Sequence, residues 1–154
     1  YEGGIRVPLI VKPPKTNQAG VVDLPVVSMD FYPTILEYTG IPLIPQQHLD
    51  GISLKPILEG KTNKTHFSLI WDFPHYHGSG WTPGRAFRQD QWKLIYFFEG
   101  DRYELFNLEE DPEEKNNLTK QEPIKLEEMK KKLLAWADEM GAQSPTKNSL
   151  YYND

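Results

Sequence analysis

The chain has 154 residues, of which 38% are hydrophobic and 12% aromatic, and it carries a formal net charge of -5. That much apolar surface offsets chain entropy and weighs against disorder except at the ends, while the acidic balance weighs against a nucleic-acid partner, since Lys and Arg drive binding to phosphate backbones. The absence of cysteine excludes disulfides and thiol chemistry, and no apolar run approaches the length of a membrane span.

In chain order, the sequence opens "YEGGIRVPLIV", Tyr1 to Val11. Gly3 and Gly4 punctuate a turn, and Ile5 to Val11 is nearly continuous in apolar residues, the pattern of a strand covered on both faces in a parallel sheet. No start methionine or leader precedes it, so the stretch reads as the middle of a protein, with any export signal upstream of Tyr1. Arg6 is expected to pair with Glu2 or another carboxylate. After a Pro-, Asn- and Gly-rich loop, Ser28 or Asp30 caps an expected helix that carries Phe31, Ile35 and Leu36 on one side and ends at Gly40 and Pro42. The stretch "DGISLKPILEG" reads as a turn at Asp50-Gly51 and a short helix ending near Gly60.

From there the pattern changes. Phe67 to Phe73, Arg85 to Arg88, Trp92 to Phe98 and Tyr103 to Leu108 are short aromatic-rich segments separated by Gly or Asp turns, which predicts antiparallel strands. Between Thr119 and Gly141, Leu126, Met129, Leu133, Ala137 and Met140 recur at helical spacing, a single apolar stripe suited to covering one sheet. A boundary therefore falls near Lys61 to Lys64: residues 1–62 form the tail of an α/β domain, and residues 63–154 a small antiparallel sheet with one packed helix.

The loop "WDFPHYHGSGW", Trp71 to Trp81, is the first candidate for chemistry, because loops held by a rigid sheet carry function more often than the elements they join. Asp72, His75 and His77 offer a zinc-like ligand set, although no second histidine or cysteine pair follows. A groove lined by His75, His77, Trp81, Arg85 and Arg88 suits an anionic sugar better, with aromatic faces covering C–H surface and a guanidinium meeting sulfate or carboxylate. Alternation puts Arg85 and Arg88 on opposite faces of a regular strand, and the plain alternative is that the loop only closes a strand connection. The acidic run "NLEEDPEEKNNL" lacks the spacing of a calcium loop and reads as a solvated turn. Trp136 reads as packing. No nucleophile stands out, because no serine occupies a G-x-S-x-G elbow, and no phosphate loop or H-E-x-x-H is present. Two N-x-T triplets, at Asn63 and Asn117, matter only in a eukaryotic secretory setting.

Taken together, these stretches resemble the C-terminal third of the sulfatase family. "YEGGIRVPLIV" is similar to the family's E-G-G-x-R-x-P segment, and "MDFYPTILEYTGIP" to its D-x-x-P-T-[IL]-L helix. "DGISLKPILEG" is similar to its D-G-x-S-L-x-P-x-L-x-G element, and "WKLI" with "ELFNLEEDPEEKNNL" to its closing signature. The resemblance implies an alkaline-phosphatase-like α/β domain that hydrolyses sulfate esters, followed by a smaller antiparallel domain, in a secreted, periplasmic or lysosomal protein. It also implies a formylglycine nucleophile and a bound calcium, both on a missing N-terminal catalytic portion, so that this fragment binds neither and is inactive alone. A sulfate-contacting lysine stands just upstream of the aromatic-E-G-G segment in such enzymes. The substrate implied is a sulfated carbohydrate, with His75 or His77 as its best contacts here. Two alternatives stay open: a phosphonate or phosphate ester hydrolase of the same superfamily, and a free-standing, non-catalytic carbohydrate-binding or interaction module. The second would leave Ile5 to Val11 as an unpartnered edge.

Overall fold

Four aromatic-rich segments pair into one antiparallel sheet of order β1-β2-β3-β4: β1 (Leu69–Phe73), β2 (Gly84–Gln89), β3 (Trp92–Phe97) and β4 (Arg102–Asn107). The structure is a computed structural model and describes residues 1–14, 19–78, 80–146 and 148. Lys15 to Gln18 of the expected Pro- and Gly-rich loop, and Ser79 of the candidate loop, lie outside the described residues.

The sheet is apolar on both faces. In register, Phe87 meets Leu94 and Leu94 meets Leu105, and this face is covered by Met129 and Leu133 of α4 (Pro123–Glu139). Ala86, Ile95, Phe97 and Phe106 point the other way and gather Trp71 and Trp81. Each face of a strand displays every second residue, so two buried faces produce the nearly continuous apolar run Leu94 to Phe97 of β3, whereas in β2 only Ala86 and Phe87 contribute. Pro123 opens α4, where a missing N–H costs no helical hydrogen bond. Trp136 packs in the helix-covered cluster, whereas Met140, read as part of the stripe, is 60% exposed.

Ahead of the sheet, the first turn differs from the expected strand. Glu2–Ile5 forms a single helical turn, α1, and the residues after it form no strand, with Val7 71% and Ile10 94% exposed. A strand covered on both faces needs neighbours to satisfy its N–H and C=O groups, and no described segment of this chain pairs with it.

The chain divides into two units, Tyr1–Val7 with Ser68–Asp154, and Pro8–Phe67. The second contains α2 (Phe31–Thr39), preceded by a 3-10 turn at Ser28–Asp30, and the short helix α3 (Lys55–Leu58). Gly40 closes α2 with φ of 73°, the left-handed cap that glycine adopts without strain. Of the three residues expected on the buried side of α2, only Leu36 is buried; Phe31 and Ile35 are 42% and 60% exposed, and Pro33 and Thr34 are buried instead. The reason is polar. The Thr34 hydroxyl donates to the Asp30 carbonyl at 2.6 Å and accepts the Leu54 N–H at 2.7 Å, which turns the Pro33 to Leu36 side inward.

Asp30 is fully buried, and its carboxylate accepts the N–H groups of Val27 and Ile52, each at 2.9 Å, and faces His66 Nε2 at 2.8 Å. Gly51 completes the seam, since a Cβ there would come 2.3 Å from the Met29 carbonyl oxygen. The "MDFYPT" and "DGISL" stretches are thus stitched to one another by backbone-directed hydrogen bonds.

Candidate functional site

Lys93 interrupts the apolar run of β3 and is fully buried. Its ammonium lies 2.8 Å from Glu2 Oε1 and 2.8 Å from Glu114 Oε1, while Arg88 Nη1 stands 3.7 Å from Glu2 Oε2. The Glu2 backbone N–H also donates to the Glu114 carboxylate. Burying these charges costs several kcal/mol each unless they are paired and hydrogen-bonded; Lys93 is paired with both carboxylates and donates to Glu2, whereas Glu114 Oε1 has the ion pair but no hydrogen-bond partner. The effect of the cluster is to hold the Glu2–Ile5 turn against the sheet. The reading that Glu2 pairs with Arg6 is corrected here: Arg6 is exposed at the end of α1, and Glu2 has turned to Lys93. Glu114, read as part of a solvated run, is 9% exposed and lies in a left-handed turn with φ of 55°. The signal that could have found this cluster was a lone lysine at a position where alternation demands an apolar side chain.

The loop after β1 stands on the same sheet. Phe73 is 41% exposed and Tyr76 69% exposed, and the exposed rings of His75 and His77 stand edge-on to Phe73 at 5.7 and 6.2 Å. Trp81 is half-buried against Phe97 at 5.5 Å, and its indole N–H donates to the Phe73 carbonyl at 3.5 Å. Gly84 makes room for it: a Cβ there would meet the Tyr96 carbonyl oxygen at 2.7 Å and the Trp81 ring at 3.2 Å. The Tyr76 hydroxyl donates to Glu99, in the turn between β3 and β4.

His75, His77 and Trp81 therefore surround Phe73, whereas the two arginines of the expected groove lie elsewhere. Arg85 is 3% exposed; its Nε donates to Asp72 at 2.7 Å, its Nη2 donates to the Gln143 carbonyl at 2.7 Å, and its guanidinium stands over Phe98. Arg88 shares the sheet face of Phe73 but lies at the other end of β2, opposite Leu69, in the Glu2 cluster. Asp72 is spent on Arg85, and among the described residues no three His, Asp or Glu side chains converge as metal ligands.

Comparison with known proteins gives this geometry a context. Residues 1–140 match the family model described as "N-sulphoglucosamine sulphohydrolase, C-terminal". Arylsulfatase K of Xenopus laevis is 33% identical over 146 residues, covering 90% of this chain and 27% of that protein. The N-acetylglucosamine-6-O-sulfatase of Bacteroides thetaiotaomicron is 34% identical over 126 residues, 77% of this chain and 22% of that protein. A solved structure of a 2-O GAG sulfatase matches with a TM-score of 0.62 at 28% identity, over 73% of this chain and 25% of that one. The chain thus spans about a quarter of the length of the relatives it matches.

Proposed function

The chain belongs to the sulfatase family, in the C-terminal region described for N-sulphoglucosamine sulphohydrolase, and from that membership we propose that it serves a sulfate-ester hydrolase as a scaffold and substrate-reading region. The observation that carries this reading is the convergence of three family-like motifs on one buried cluster. The glutamate of "EGG", the lysine of "WKLI" and the final glutamate of "DPEE" meet within ion-pair distance. A turn fixed by buried, hydrogen-bonded charges holds its backbone to a fraction of an ångström, and misplacing a catalytic group by about 1 Å costs on the order of 10²-fold in rate.

The substrate proposed is a sulfated carbohydrate. The names of the relatives support this, as do the exposed aromatic rings at Phe73 and Tyr76, with His75, His77 and Trp81 beside them. Formylglycine and calcium belong to the same proposal for the whole enzyme, where they would supply the attacking oxygen and charge stabilisation. This chain's residues do not fit either group: the sequence has no cysteine and no serine in a C/S-x-P-S-R motif, and among the described residues no three His, Asp or Glu side chains converge as ligands. What this chain's residues do is orient and bind.

The test is release of inorganic sulfate from a 6-O-sulfated N-acetylglucosamine by the protein that contains this chain. Hydrolysis is expected, and Lys93→Met is expected to lower kcat/KM by about 10²-fold through displacement of the Glu2 turn. Absence of sulfate release from any sulfate ester by the unmutated protein would refute the reading.

A further inference from the structure

The loop that presents Phe73 and Tyr76 has aromatic surface, and among the described residues no arginine of the sheet is left to serve it. Each arginine of the sheet is matched to a carboxylate: Arg85 to Asp72, Arg88 to Glu2, and Arg102, which stands over the Phe97 ring, to Glu104. The charge that does stand at the loop is negative, the Glu99 carboxylate that accepts from the Tyr76 hydroxyl. It begins an acidic stretch, Glu99 to Glu114, that holds Arg102 as its one base. A sulfate group brought to this surface would meet repulsion, with no guanidinium fork to receive it. The apolar C–H face of a sugar ring would instead find ring faces, and its hydroxyls a carboxylate acceptor.

We propose that Phe73, Tyr76 and Trp81, with Glu99, receive an uncharged pyranose ring neighbouring the sulfated one. This rests on the sulfatase reading above and adds a division of labour: the sulfate is recognised elsewhere in the enzyme, and this loop reads the next sugar along the chain. Tyr76 is the stacking group. Glu99 holds its hydroxyl and sets the preference against a second anionic ring.

The experiment uses the full protein and three substrates: a sulfated monosaccharide, the same sugar extended by one unsulfated ring, and the same extended by a sulfated ring. The uncharged extension is expected to raise kcat/KM by about tenfold, the scale of one aromatic contact. Tyr76→Ala abolishes that gain and Tyr76→Phe keeps most of it. Glu99→Gln narrows the difference between the two extended substrates. Survival of the gain in Tyr76→Ala, or preference of the unmutated enzyme for the sulfated extension, overturns the inference while sulfate release from the monosaccharide leaves the sulfatase reading standing. Failure to release sulfate from any of the three overturns that reading and this inference with it.

Discussion

Lys93 has no exposed side-chain surface, and the two carboxylates that neutralise it come from positions 91 residues before it and 21 after it. Removing the cation leaves Glu2 and Glu114 buried and facing each other, so Lys93→Met is expected to cost about 3–5 kcal/mol, read as a lower urea midpoint. Combining it with Glu2→Gln and Glu114→Gln should recover part of that loss, because the uncompensated charge is gone; no recovery would show that the lysine acts through packing alone. The lysine's exceptional placement was legible in the apolar run around it, but its partners were not. Ion pairs across such sequence separations leave no local pattern, and Arg6 offered a nearer partner for Glu2. Gly51 makes a second residue-scale case. Because an added Cβ would lie 2.3 Å from the Met29 carbonyl oxygen, a backbone atom that cannot swing aside, Gly51→Ala is expected to cost about 1–3 kcal/mol and to lower Tm accordingly.

Among the elements, the sheet was read most closely: each expected strand falls within two residues of an observed one, since aromatic and β-branched runs between Gly or Asp turns are a local signal. The opening run and the buried side of α2 were not legible, because both depend on what lies opposite them in space. Within the sheet, Tyr96 of β3 and Tyr103 of β4 are cross-strand partners stacked at 4.6 Å. Burial pushes both phenols up, and the Asp101 carboxylate adds to the shift. Burial, then the hydrogen bond to Glu104, pushes Tyr1 up to about 12. A phenol whose folded pKa exceeds its unfolded value near 10 contributes stability fully below that value, and loses it as pH rises through the folded one. Alkaline titration should therefore show β-sheet circular dichroism falling together with the growth of phenolate absorbance between about pH 10 and 12. Phenolate formation complete by about pH 10, with the sheet intact, would contradict this placement of the tyrosines.

At the scale of the whole molecule, the order of motifs carried family information that no single site did, because each motif proves to be one side of a two-sided contact. "EGG" closes on "WKLI" and "DPEE", and "MDFYPT" closes on "DGISL". The proposed sugar surface was less legible: five residues in one stretch suggested a groove, but alternation puts Arg85 on the other face with Asp72, and an ion pair holds Arg88 beside Glu2 at the far end of β2. What remains together, around Phe73, is aromatic surface with no arginine beside it. The central claim is that this chain supports sulfate-ester hydrolysis without itself supplying the reacting groups. It is tested most directly by assaying inorganic sulfate released from a sulfated N-acetylglucosamine by the full protein and, side by side, by the 154-residue chain alone. Release by the full protein and none by the chain is expected; turnover by the purified chain, or no turnover of any sulfate ester by the full protein, would overturn the proposal.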